Sequence, residues 1–124
     1  MIFDWDEVNA IHQFLISEFG GSPGVRDQGQ LEAALNRLQQ TFDGSDLYPT
    51  AQEKAAAILE SIVINHPFID GNKRVGYVLM RMTLLNAGLD IDATQEEKYQ
   101  LVISVAKGEL NLSAITQWIN DKIK

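Results

Sequence analysis

The chain, 124 residues long, predicts an all-α fold. Three observations carry that reading. No segment alternates apolar and polar residues with a convincing period of two, as a half-buried strand would. Apolar residues recur instead at three- and four-residue spacing along most of the chain. Most of these runs open on Asp, Thr or Ser, residues whose side-chain oxygens cap helix N-termini. The expectation is one compact helical domain, residues 1–124, built around a central helix hairpin.

Asp4 caps the first helix, with Glu7 as its capping-box partner. Val8, Ile11, Leu15 and Phe19 form the apolar stripe, and Gly20-Gly21 stops it. His12 lies beside the stripe and reads as a packing or surface histidine, since nothing polar nearby in sequence would orient it. Gly20 to Asp27 is a loop dense in Gly and Pro. Asp27 caps a second helix carrying Leu31, Ala34, Leu35 and Leu38; Arg37 on it reads as the partner of a carboxylate. Thr41 to Pro49 is a loop around the turn cluster Asp43-Gly44-Ser45-Asp46. Thr50 and Glu53 open the third helix, with Ala55, Ile58, Leu59, Ile62 and Val63 on its buried face. Ala56 and Ala57 would let another helix approach closely. A fourth helix begins near Asn72, carries Val75, Val78, Leu79, Met82 and Leu85, and ends at Asn86-Ala87-Gly88. Asp90 and Asp92, in the connector that follows, read as solvated or capping. Thr94 with Glu97 opens a fifth helix through Tyr99, Val102, Val105 and Ala106, ending before Gly108. Ser113 caps the last, which carries Ile115, Trp118, Ile119 and Ile123; Lys122 and Lys124 suit its dipole.

Between the third and fourth helices lies the stretch that stands out chemically: His66-Pro67-Phe68-Ile69-Asp70-Gly71-Asn72-Lys73-Arg74. Pro67 disfavours helical backbone at His66, so the third helix should end near Asn65. Gly71 allows a tight turn and the close approach of a ligand. The fourth helix then points its free N–H groups and positive dipole end back into the loop. Lys73 and Arg74 in its first turn oppose that dipole. Two cations there make sense if a polyanion sits over them, Arg offering a planar fork to phosphate and Lys a point charge. Asp70 is a hard oxygen ligand suited to Mg²⁺, which takes one or two carboxylates plus substrate phosphates. His66 is a candidate general base. The parts together suggest phosphate-ester chemistry on a nucleotide.

Composition bounds the rest. The chain has no cysteine, hence no disulfide and no thiolate metal site. A zinc hydrolase is improbable with two histidines, one of them remote. The N-terminus has neither the basic nor the apolar region of a signal peptide, and no apolar run approaches the roughly 20 residues that span a bilayer. A cytoplasmic protein is expected. A net charge of −7 argues against direct nucleic-acid or anionic-membrane binding, while the motif concentrates positive charge locally.

The nine residues from His66 to Arg74 resemble the Fic motif, H-P-F-x-D-G-N-[GK]-R, and Lys73 in place of the commoner Gly resembles its Doc (death on curing) branch. Gly20-Gly21-Ser22-Pro23-Gly24-Val25-Arg26-Asp27, then Leu31-Glu32-Ala33-Ala34, resembles the N-terminal Doc segment. Lys107-Gly108-Glu109-Leu110 is similar to Doc as well. The resemblance implies a Fic-like helical domain whose central hairpin carries the motif loop.

It also implies roles. His66 would take the proton from a hydroxyl of a protein target, and Asp70 would hold Mg²⁺ and orient that hydroxyl. Asn72 and the backbone around Gly71 would form an anion hole, Lys73 and Arg74 would neutralise phosphate, and Phe68 would anchor the loop. Doc-like proteins are understood to bind ATP in the reverse sense and to transfer its γ-phosphate to a threonine of elongation factor Tu, stopping translation. The expectation is therefore a protein kinase toxin using ATP and Mg²⁺. Many Fic motifs place a second Arg where Tyr77 stands here; the Doc branch lacks it too. The chain holds no [ST]-x-x-x-E-[GN] inhibitory stretch, so a separate Phd-type antitoxin is the implied partner. Fic proteins hold the target segment by strand addition to a flap, and residues 41–49 are the place to look for one. Two alternatives stay open: AMP transfer to a protein hydroxyl, and a non-catalytic nucleotide- or protein-binding module.

Overall fold

The computed structural model describes residues 3–124. Six helices account for most of them: α1 (Trp5–Phe19), α2 (Gln28–Arg37), α3 (Ala51–Asn65), α4 (Asn72–Asn86), α5 (Gln95–Ala106) and α6 (Leu112–Lys122). A two-stranded hairpin, β1 (Thr41–Phe42) and β2 (Ser45–Asp46), lies between α2 and α3. The fold is all-α in the sense expected. No helix among the described residues is long and apolar enough to cross a membrane.

The caps explain the boundaries. Asp4, Asp27 and Thr50 each accept a hydrogen bond from the backbone N–H three residues on, opening α1, α2 and α3. Thr94 and Glu97 form a reciprocal capping box at α5. The start of α6 differs from expectation: Asn111 is the cap, accepting from the Ala114 N–H, and Ser113 lies inside the helix. Asn and Ser cap equally well, so composition alone cannot choose between them.

Helix α3 is the axis of the core. Ala55 through Leu59, Ile62 and Val63 are all fully buried, with α4, α6, α2 and α5 packed around it. Helix α4 lies against α3 as the expected hairpin, and Gly76 sets how close the two come. A Cβ on Gly76 would meet Val63 Cγ2 at 2.9 Å. Leu85, read as part of the buried face of α4, is instead 47% exposed; Met80 and Leu84 are buried in its place. The face turned toward α3 is rotated from the one that spacing alone selects.

One connector departs from expectation, and the other, residues 41–49, carries short strands where the resemblance says to look for a flap. Asp90 pairs with Arg81 through two hydrogen bonds of 3.0 and 3.1 Å, and so is neither merely solvated nor capping. That guanidinium pulls its carboxyl down to about 2. Residues 41–46 form a hairpin closed by Asp43-Gly44, both at positive φ, as a two-residue hairpin turn of the I′ kind requires. Strands of two residues are too short to show alternation, so the sequence carries no period to read.

Candidate active site

Chain geometry brings the motif to the junction of α3 and α4. His66 is the residue after α3, in left-handed backbone at φ 48°, ψ 59°. Non-glycine residues persist there only where their surroundings hold them. Arg26 supplies that hold, donating from Nε to the His66 carbonyl and from Nη2 to the Asn65 carbonyl, both at 2.6 Å. The backbone N–H groups of Arg26 and Asp27 both donate to the Pro67 carbonyl, and Ile69 N–H donates to Gly24. Val25 and Phe68 form an antiparallel bridge. The Gly-rich loop before α2 is thus a brace laid along the motif. His66 itself is exposed, and no hydrogen bond to another described residue engages its imidazole.

Asp70 lies on the exposed side of the loop. Its Oδ2 accepts from the Ser22 N–H at 3.1 Å and its Oδ1 from the Gly71 N–H at 2.8 Å. Those two donors, with smaller help from His12 and Arg74, hold the carboxyl below the usual carboxylate range. Asp70 is therefore ionised at neutral pH, as a cation ligand must be. No group of three or more His, Cys, Asp or Glu able to hold a metal occurs among the described residues. A Mg²⁺ here would take one protein carboxylate and find its other oxygens on phosphates and water, the usual habit of that ion.

Gly71 turns the chain at φ +79° and α4 starts at Asn72. The first helical bond runs from Val75 N–H to Gly71 C=O. The N–H groups of Asn72, Lys73 and Arg74 thus have no intrahelical acceptor and face the loop. Lys73 and Arg74 are exposed, and neither has a carboxylate within 4 Å among the described residues. The Arg74 guanidinium lies 4.3 Å over the Phe19 ring, a cation–π contact that leaves its N–H fork for a ligand.

The sequence reading puts Asn72 in the anion hole; the structure gives its side chain a second engagement within the loop. Its side chain is buried, accepts from the Phe68 N–H at 3.0 Å and donates to the Phe68 carbonyl at 2.9 Å. Its amide staples the loop, and the residue also lines the cleft at the start of α4. Phe68 is fully buried.

His66, Ile69, Asp70, Gly71, Asn72, Lys73 and Arg74 line one side of a cleft of about 610 Å³. The opposite wall is the face of α5 formed by Gln95, Lys98, Tyr99, Val102 and Ile103. Sequence reasoning does not find this wall, because its residues carry no motif. Tyr77 also lines the cleft; burial pushes its phenol up, and the hydroxyl has no hydrogen-bond partner among the described residues. Arg26, Ser22 and His12 were missed for another reason: each acts on the motif from about 40 to 58 residues away. For Ser22 and Arg26 the resemblance of residues 20–27 to Doc is the available signal; for His12 the sequence offers none. Arg37 is not at this site. It bonds Glu60, Ser61 and Tyr48, each at 2.9 Å, as the carboxylate-pairing reading expects.

Comparison with known proteins agrees with the motif. The model of the Fic/DOC family matches residues 2–84. The chain is 39% identical over 103 residues to Toxin Doc of Mycolicibacterium smegmatis, covering 78% of this chain and 76% of that protein. It is 30% identical over 113 residues to Protein kinase doc of Escherichia phage P1, covering 89% of this chain and 86% of that protein.

Proposed function

The chain belongs to the Fic/Doc family, and from that premise we propose that it is a Doc-like toxin that transfers the γ-phosphate of ATP to a protein hydroxyl. The target is a threonine of elongation factor Tu, and the outcome is arrest of protein synthesis in the cytoplasm. The observation that carries this reading is the start of α4. Two cations without carboxylate partners among the described residues stand there beside three N–H groups without helical acceptors, on the rim of a cleft large enough for a nucleotide. The kinase name of the phage relative points the same way.

The chemistry assigned to the residues is compact. His66 accepts the proton of the target hydroxyl as that oxygen bonds to the γ-phosphorus. The bond from the γ-phosphorus to its bridging oxygen breaks, and ADP leaves. Lys73, Arg74 and the N–H groups of the first turn of α4 stabilise charge on the phosphates, which is most of what a protein contributes to phosphoryl transfer. Asp70 would hold Mg²⁺, whose bound charge further neutralises the phosphates. Both backbone edges of the β1–β2 hairpin are short and exposed, so the target segment can add to it as a strand. A Phd-type antitoxin is the partner that holds the enzyme inactive.

Intact-mass spectrometry of elongation factor Tu after incubation with the protein and Mg-ATP tests this, with His66→Ala as control. One phosphoryl group gained, and lost in the variant, is the expected result. An adenylyl group instead would mean that Lys73 does not set the sense of ATP binding. No modified protein in a whole lysate would leave the non-catalytic module as the reading.

A further inference from the structure

We propose that His12, on α1, is a positioning residue for the motif loop: its bond to the Asp70 carbonyl orients the peptide that places the Asp70 carboxylate. The inference rests on the reading of Asp70 as a working carboxylate. His12 is 1% exposed, and its Nε2 lies 2.9 Å from the Asp70 carbonyl oxygen. A carbonyl oxygen only accepts, so Nε2 carries the proton and donates. The ring also stacks on Phe68, centroids 4.0 Å apart and planes 9° from parallel.

The geometry gives this bond a consequence beyond packing. The Asp70 carbonyl and the Gly71 N–H belong to one planar trans peptide and point in opposite directions. Fixing the carbonyl from below fixes the N–H above it. That N–H donates to Asp70 Oδ1 at 2.8 Å. His12 therefore acts on the carboxylate through a single rigid unit, while Ser22 holds the other carboxylate oxygen. Gly71 seats against the ring, since a Cβ there would lie 3.8 Å from Nε2. A leucine could fill the same volume. An imidazole buried among apolar residues is costly unless bonded, and its bond goes to the residue next to the turn.

The test separates donor from filler. His12→Phe keeps a ring on Phe68 and removes the donor, while His12→Gln keeps a donor at similar reach. The first readout needs no substrate: exchange of the buried Phe68 amide, which donates to Asn72 Oδ1 inside the loop, followed by NMR. His12→Phe should speed it about 5- to 10-fold, the size of one buried hydrogen bond, relative to core amides of α3, and His12→Gln should not. The second readout is phosphoryl transfer across a Mg²⁺ titration. His12→Phe should raise the half-saturating Mg²⁺ and lower kcat about tenfold, with KM for ATP near the wild-type value. His12→Gln should recover most of both. Unchanged exchange in His12→Phe, or equal loss in Phe and Gln variants, overturns the proposal. If His12→Phe does not fold, His12→Met against His12→Gln makes the same comparison. A wild-type protein without transfer activity refutes the functional reading and leaves the exchange result to judge His12.

Discussion

Replacing Asn72 by Ala sets two accounts of one residue against each other. The motif resemblance makes its amide a phosphate ligand; the structure makes it a staple within the loop. The side chain closes two hydrogen bonds on Phe68, one to the N–H and one to the carbonyl, and both are buried. Truncation leaves two buried backbone groups without partners, each costing about 1–3 kcal/mol. Partial relaxation of an edge loop lowers the sum, so the expected loss is about 2–4 kcal/mol. For a chain of this length that is a fall in Tm of roughly 10 °C. Urea unfolding should show a lower midpoint at unchanged slope. Asn72→Asp should be destabilised as well, because its second oxygen would face the Phe68 carbonyl. ATP affinity, measured at a temperature where the variant is folded, should fall only modestly. Wild-type unfolding midpoints together with lost ATP binding would refute the staple and restore Asn72 as a ligand.

Other expectations follow from single contacts. Gly76→Ala puts a Cβ 2.9 Å from Val63 Cγ2, so the α3–α4 hairpin must separate; a loss of about 1–3 kcal/mol in denaturant unfolding is expected, less what Ala returns in helix propensity. Arg26→Ala removes both braces on the end of α3; stability should drop by about 1–2 kcal/mol, with a larger proportional loss of transfer rate because His66 is no longer held. Gly21→Ala, at φ +118° with its Cβ 2.8 Å from Asp70 Oδ2, should weaken Mg²⁺-dependent transfer more than it weakens ATP binding. Asp90 and Glu97 both titrate at about 2 in the folded protein, pulled down by Arg81 and Lys122 respectively. Their folded values lie below the unfolded ones near 4, so their stabilisation is complete above about pH 5 and is lost as pH falls from 4 toward 2. Double replacement by Asp90→Asn and Glu97→Gln should flatten that acid limb of the unfolding midpoint and leave the neutral region parallel to wild type.

Local signals in the chain set the helices and the motif. Caps at Asp4, Asp27, Thr50 and Thr94 act through the N–H three residues away, so the sequence alone shows them. Pro67 and Gly71 punctuate the backbone by their own covalent structure, and the loop runs between α3 and α4 as that chemistry demands. The grouping of His66, Asp70, Lys73 and Arg74 was legible for the same reason, since the nine residues span one short loop and the first turn of the helix after it. Tertiary structure decided what depends on distant partners. Asn72 turned inward because Phe68 presents both backbone groups to it. His12 reached the motif loop because α1 passes under Asp70, 58 residues along the chain. Arg26 met the end of α3, Leu85 faced outward, and the second wall of the cleft came from α5. Hydrogen bonds and packing are short-ranged in space and indifferent to sequence separation. A residue's neighbours along the chain therefore determine its backbone, and only the folded chain determines what its side chain meets.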